Sequence, residues 1–332
     1  MTKFSSLALA GLTFVGMAVS ASADSLDRAG SLLVYPLFDN TRGGLFTVTV
    51  TNTNSDSQAG TVDVEFVYIN GANCLEFNRT RRLTPNDTLT VITKNDNPNM
   101  TQGYVYVFAK NKNTGKATKW DYLIGDSYIF TPDLIGGVDF APVVFQAGSA
   151  LAAGADTDLD NDGVRDLNGL EYEQVSDKLL VPRFISDFDG VSQPELILIG
   201  LTGAQFTTIV DFLVYNDNEE VFSAQYEFDC WQRVKLKDVN GAFTDSFLDT
   251  TNDAASEFIV LAPGAPEIET GWFRMDASIA YSTAASVQNP AFLACRIDRL
   301  IVGLSAVASL PYGEGEQANG DLVKHGPIAD TN

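Results

Sequence analysis

The sequence predicts an all-β chain: two tandem β-sandwich domains, Ig-like or jelly-roll-like, arising from an internal duplication and joined by an acidic linker. Three observations predict it. Apolar residues alternate with threonines or acids in short runs. Turn residues punctuate those runs, and no long segment carries the 3.6-residue period of a helix. A set of landmarks in the first half returns in the same order in the second.

The first run, Phe46 to Thr51, alternates threonine with apolar residues and reads as a half-buried strand. The next, Thr61 to Tyr68, puts Val62, Val64 and Phe66 on one face and Asp63 and Glu65 on the other. Thr88 to Ile92 and Tyr104 to Ala109 continue the pattern. Asn70-Gly71, Pro85-Asn86-Asp87 and Asn113-Thr114-Gly115 supply the turns.

The repeat is carried by four landmarks. Ser31 to Pro36 returns loosely as Lys178 to Pro182. Val64 to Asn70 returns as Val210 to Asn216, and each of these is followed by a cysteine, Cys74 and Cys230. Gly103-Tyr104 matches Gly271-Trp272, and Asp121 to Ile124 matches Asp298 to Ile301. The resulting division is a leader at 1–23, a sandwich at 24–150, an acidic linker at 151–175, a second sandwich at 176–312 and a flexible C-terminal tail at 313–332.

The leader is read from Lys3, the apolar run Leu7 to Val19, and Ala21-Ser22-Ala23 ahead of Asp24. A positive start, a short apolar core and small residues at the cleavage site make a secretory signal peptide, cut after Ala23. The run falls short of the roughly 20 residues that cross a bilayer. Its alanine-rich style reads as bacterial, and the expected location is secreted, extracellular or cell-surface, with the periplasm as an alternative. Export permits disulfides. Of three cysteines, Cys230 and Cys295 are expected to pair, with Cys74 buried and reduced; the alternative is three separate buried thiols.

Among 332 residues, 43 Asp and Glu outweigh 21 Lys and Arg, for a formal charge of −22. Nucleic acid and anionic membranes would be repelled. Hydrophobic residues at 45% nevertheless suffice for a real core, so the acidity is not that of a disordered tail. One histidine rules out a histidine-rich metal centre.

The strongest chemical signal lies between the repeats. From Asp156 to Glu171, carboxylates recur at every second position and are followed by Gly163. Spaced short acids in a tight loop suit a hard cation that takes six to eight oxygens. This stretch resembles the calcium loops of EF-hands and thrombospondin type 3 repeats. The resemblance implies Ca²⁺ held by Asp158, Asp160 and Asp162, by the Val164 carbonyl, and by Asp166 directly or through water. An EF-hand has a bidentate Glu at the twelfth position, where this chain has Gly169. Either Glu171 swings in or Asp156 completes the shell.

No residue is assigned a catalytic role. His325 sits in the expected tail, and Gly125-Asp126-Ser127 reads as a turn. Glu65 and Asp211 read as outward-facing strand acids. Tyr104, Tyr106 and Phe108, with Trp120, Trp231 and Trp272, offer a possible sugar platform against a default of core packing. Arg79, Arg81 and Arg82 read as cross-strand partners of local acids or as a docking patch. The chain as a whole resembles secreted bacterial β-rich proteins, a likeness that implies no activity.

The leading reading is a non-catalytic exported protein with a structural, assembly or binding role at a cell surface or in a matrix, stiffened by calcium. Its partners would be other copies of itself, cell-surface or matrix components, or glycans. A carbohydrate-binding protein is the second reading, and a carboxylate- or calcium-dependent hydrolase the third.

Overall fold

A computed structural model describes residues 28–41, 44–130, 138–216, 218–249, 269–300 and 305–323. The expected leader and His325 lie outside the described residues. The first half forms β1 (Leu32–Asp39), β2 (Leu45–Asn52), β3 (Val62–Asn70), β4 (Glu76–Leu83), β5 (Thr88–Ile92), a helical turn α1 (Thr93–Asp96), β6 (Gln102–Lys110), β7 (Leu123–Phe130), β8 (Val138–Phe140) and β9 (Val143–Phe145). A two-residue strand, β10 (Asp166–Leu167), follows. The second half forms β11 (Val175–Ile185), β12 (Glu195–Gly200), β13 (Thr207–Tyr215), β14 (Val221–Phe228), β15 (Trp231–Lys235), β16 (Thr270–Tyr281), β17 (Ser286–Gln288), β18 (Phe292–Leu300), β19 (Ser305–Ser309) and β20 (Tyr312–Ala318), and β21 (Gly320–Asp321) closes the series.

Two antiparallel sheets make each sandwich, and the strand order is the same in both halves. The order β4-β3-β6-β1-β9 is matched by β14-β13-β16-β11-β20, and β5-β2-β7-β8 by β15-β12-β18-β19; β17 is an extra strand beside β16. Local details repeat too. The β1–β6 ladder slips between Tyr35 and Phe38, and the β11–β16 ladder between Val181 and Phe184. Each slip spans a proline, Pro36 or Pro182, whose nitrogen has no hydrogen to give the ladder. Just past the slip, Phe38 faces Gly103 and Phe184 faces Gly271. A Cβ at Gly103 would lie 1.8 Å from the Ile69 carbonyl oxygen, and one at Gly271 would lie 2.8 Å from that of Tyr215. Only glycine fits against the neighbouring strand at these points.

The fourth landmark does not align. Leu123 opens β7, whereas Leu300 closes β18, so the two sit at opposite ends of corresponding strands. The cysteines are not equivalent either. Cys74 lies in the β3–β4 turn and Cys230 between β14 and β15, and they are bonded to each other with Cα atoms 6.2 Å apart. The expected Cys230–Cys295 pairing is therefore corrected: Cys295 is the free thiol, fully buried.

The disulfide joins halves that share a core. Along β12, Leu196 and Leu198 point into the second sandwich, while Ile197 and Ile199 pack in the cluster that holds β1, β3 and β6. Leu293 and Cys295 of β18 join them there. The β15-β12-β18-β19 sheet is thus covered on both faces, as is the β4-β3-β6-β1-β9 sheet. That is why β1 and β12 are buried at every position, while β7, with one wet face, alternates. Trp231 crosses this seam and donates from Nε1 to the Pro36 carbonyl at 3.0 Å; Arg233 reaches Asp39 at 2.9 Å.

Residues 151–175 bridge to the first half at Thr118–Asp156 and Ala147–Tyr172 and to the end of the second half through β10 and β21. Within the expected tail, residues 313–323 take part in the fold: β20 pairs with β11, β21 pairs with β10, and Leu322 and Val323 enter the shared core. The Tyr106 hydroxyl donates to the Val323 carbonyl at 2.8 Å.

Candidate metal centre

The acidic loop is held at its ends before its carboxylates converge. Thr118 bridges Asp156, and Ala147 bridges Tyr172. The Thr157 and Tyr172 hydroxyls meet at 2.8 Å in the interior. Between these anchors the chain turns through Asn161 (φ 59°), Gly163 (φ 84°) and Gly169 (φ 81°), all left-handed. Aspartates cap the backbone two residues ahead: Asp160 accepts from the Asp162 N–H at 3.1 Å, and Asp162 from the Val164 N–H at 2.7 Å.

Glu171 folds back over this coil, accepting from the Leu159 N–H with Oε1 and from the Asp166 N–H with Oε2. Carboxylate oxygens of Asp158, Asp160 and Glu171 then lie within 4.8 Å of one another. Glu171 is 2% exposed. Burial above all, and the Asp166 charge next, push its carboxyl up to about 7. Asp166 is pushed up to about 6 by burial, then by Asp321, Asp162 and Asp160. At this spacing two carboxylates repel by about 3 kcal/mol at an effective dielectric of ~20, before solvent screening.

Of the residues expected from sequence, Asp158, Asp160 and Glu171 are brought together, and Asp162 and Asp166 share their field. Asp156 lies outside that group and pairs with Lys116 at 2.7 Å. Val164 donates its N–H to Asp162 at 2.7 Å. Sequence reasoning missed Asp321, which β21 places opposite Asp166. Burial raises its carboxyl, with Asp162 and Asp160 adding to the effect. Its approach depends on a strand pair that joins distant parts of the chain, so no local signal could have found it. Arg165 was also missed. It is 2% exposed, donates to Asp158 at 3.0 Å, and lies 5.0 Å from the Phe108 ring centre. The all-oxygen donor set fits a hard cation such as Ca²⁺.

Other candidate sites dissolve into packing. Tyr104, Tyr106 and Phe108 are buried at the seam, so they form no sugar platform. Trp120 donates to Asn52, and Trp272 stacks on Tyr215 at 4.0 Å. Glu65 is not an outward-facing acid: it is 3% exposed and takes Lys110 at 2.9 Å. Gly125-Asp126-Ser127 is strand, not turn, and Ser127 donates to the Phe140 carbonyl. Arg82 pairs with Asp63 directly across the β3–β4 ladder, and Arg81 with Asp96.

No family model matches the chain, and no curated protein matches it. Among solved structures, a chain of the broad bean stain virus cryo-EM structure is similar at 10% identity. The match covers 97% of this chain and 98% of that one, with a TM-score of 0.21, which carries no argument about fold or function.

Proposed function

We propose that the chain is a non-catalytic exported protein, made by duplication of one sandwich, which serves a structural, assembly or binding role at a cell surface or in a matrix, with Ca²⁺ clamping its two halves together. The observation that carries this reading is where the acidic loop lies. The loop bridges to the first half at Thr118 and Ala147, and β10 within it pairs with β21 from the end of the second half. The Leu322 N–H adds a bond to the Arg165 carbonyl. A cation that gathers Asp158, Asp160 and Glu171 would stiffen the seam as well as the loop. Chemistry at the ion is not needed for that role. Export is supported by the leader pattern and by the disulfide, which suits an oxidising compartment.

Limited proteolysis with and without calcium tests the proposal. Calcium should protect the 156–171 segment, and Asp160→Asn should remove that protection while the sandwiches stay folded. Equal cleavage in calcium and in chelator would defeat the clamp.

A further inference from the structure

The four main sheets lie as layers. The β5-β2-β7-β8 sheet packs on β4-β3-β6-β1-β9, which packs across the seam on β15-β12-β18-β19, and β14-β13-β16-β11-β20 comes last. The seam thus joins the outer face of a larger sheet to the outer face of a four-stranded one. Duplication leaves the same two kinds of face free at the ends: a four-stranded one on the first sandwich and a larger one on the second.

The free faces keep apolar residues where the seam has them. In the first half, Ile69 pairs with Tyr104, Val67 with Tyr106, and Tyr106 with Val34, all buried. The matching positions of the second half are Tyr215 with Trp272, and Leu213 with Arg274, which pairs in turn with Leu180. Here Leu213 is 36% exposed, and Val221, opposite Tyr215, is exposed too. On the other free face, the outward positions of β2, β5 and β7 carry Leu45, Ile92, Ile124, Tyr128 and Phe130, each 37–46% exposed. Apolar side chains gathered on one face in this way mark an interaction surface.

Charge and size indicate which faces meet. Asp126 and Asp139 are the only charged residues in β2, β5, β7 and β8. Both sit at outward positions, opposite Thr49 and Tyr128. Two such faces would set acid against acid. The free face of the second sandwich instead offers Arg274 and Lys178, each beside an acid of its own sheet, Glu314 or Asp276. Four strands about 4.8 Å apart, with about eight residues at ~3.3 Å each, give roughly 500 Å² a side. The paired area of about 1,000 Å² is where specific but weak interfaces begin.

We propose that the partner of these faces is a second copy of this chain: the free larger-sheet face of one copy stacks on the free four-stranded face of the next, repeating the internal seam between molecules. The contact uses two different faces, head to tail, so it extends into a linear stack instead of closing as a pair. The inference rests on the assembly reading above and names its partner.

Sedimentation velocity of the exported chain in saturating calcium, from about 10 μM to about 1 mM, tests the stack. Mass should keep growing with concentration beyond the dimer. Leu213→Glu blocks one face and Ile124→Glu the other; each should weaken association by about tenfold or more with strand content kept. Mixed together, the two variants should form a pair that grows no further, because each retains the face the other lacks. Leu75→Glu, the same charge at a 63% exposed leucine in the β3–β4 turn, should change nothing. The stack is overturned by a wild type that stays monomeric or stops at the dimer, by either face variant associating as the wild type does, by a mixture that forms no pair, or by equal loss from Leu75→Glu. Calcium protection of the 156–171 segment, read on the same samples, separates failure of the stack from failure of the clamp.

Discussion

Replacing Cys74 and Cys230 by serine opens a covalent loop that spans nearly half of the chain. The two cysteines are 156 residues apart in sequence. In the chain-entropy account, a crosslink over that span restricts the unfolded state by about 5 kcal/mol. Serine keeps the size of each side chain, so little packing is lost and the effect resides mainly in the unfolded ensemble. Urea unfolding of the wild-type chain and the double variant, each with and without reductant, reads this out. The variant should be less stable by several kcal/mol, and reductant should lower the wild type to the variant's level while leaving the variant unmoved. Peptide mapping should recover a Cys74–Cys230 pair. A stability difference under about 1 kcal/mol, or recovery of a Cys230–Cys295 peptide, would refute the reasoning.

Further outcomes follow from the seam and the acidic loop. Trp231→Ala removes a ring that is 7% exposed together with its bond to Pro36; denaturation should show a loss of about 3–5 kcal/mol. Burial pushes the Cys295 thiol up to about 12, so a thiol reagent should label it only after unfolding. Calcium must displace protons from Glu171 and Asp166, pushed up to about 7 and about 6, so calorimetric affinity should rise from pH 6 to pH 8. The metal-free protein should show the opposite trend in stability. Its folded state retains protons that unfolded carboxylates release at about pH 4–4.5, so denaturation midpoints should fall as pH rises from there toward 7.

Much of the architecture was legible because alternation survives burial on one face. Phe46 to Thr51 showed its pattern, and the landmark Ser31 to Pro36 with its return at Lys178 to Pro182 falls on the matching strands β1 and β11. The seam was harder to see. The run Tyr104 to Ala109 has no polar residue on either face, the sign of a strand covered on both sides. Leu196 to Ile199 repeats that sign. Once the halves are read as separate, however, such runs pass for ordinary strands, and Cys74 is given no partner. The fourth landmark failed because an Asp-x-Leu-Ile string is short enough to recur at unrelated strand ends. In the acidic loop, the spacing of Asp158, Asp160 and Asp162 was local and readable. The grouping of Glu171 rather than Asp156 with Asp158 and Asp160 was not, because Asp156 pairs with Lys116, 40 residues upstream.

Calcium binding itself is the most direct test of the clamp. Metal-free protein should take up one Ca²⁺ in calorimetry, with a Kd of about 10⁻⁴–10⁻³ M as in extracellular modules of this type. At about a hundredfold excess over Kd, unfolding should be opposed by about 2.7 kcal/mol more. Asp160→Asn should abolish the heat without loss of strand content. No uptake at millimolar calcium, or uptake unaffected by Asp160→Asn, would contradict the account.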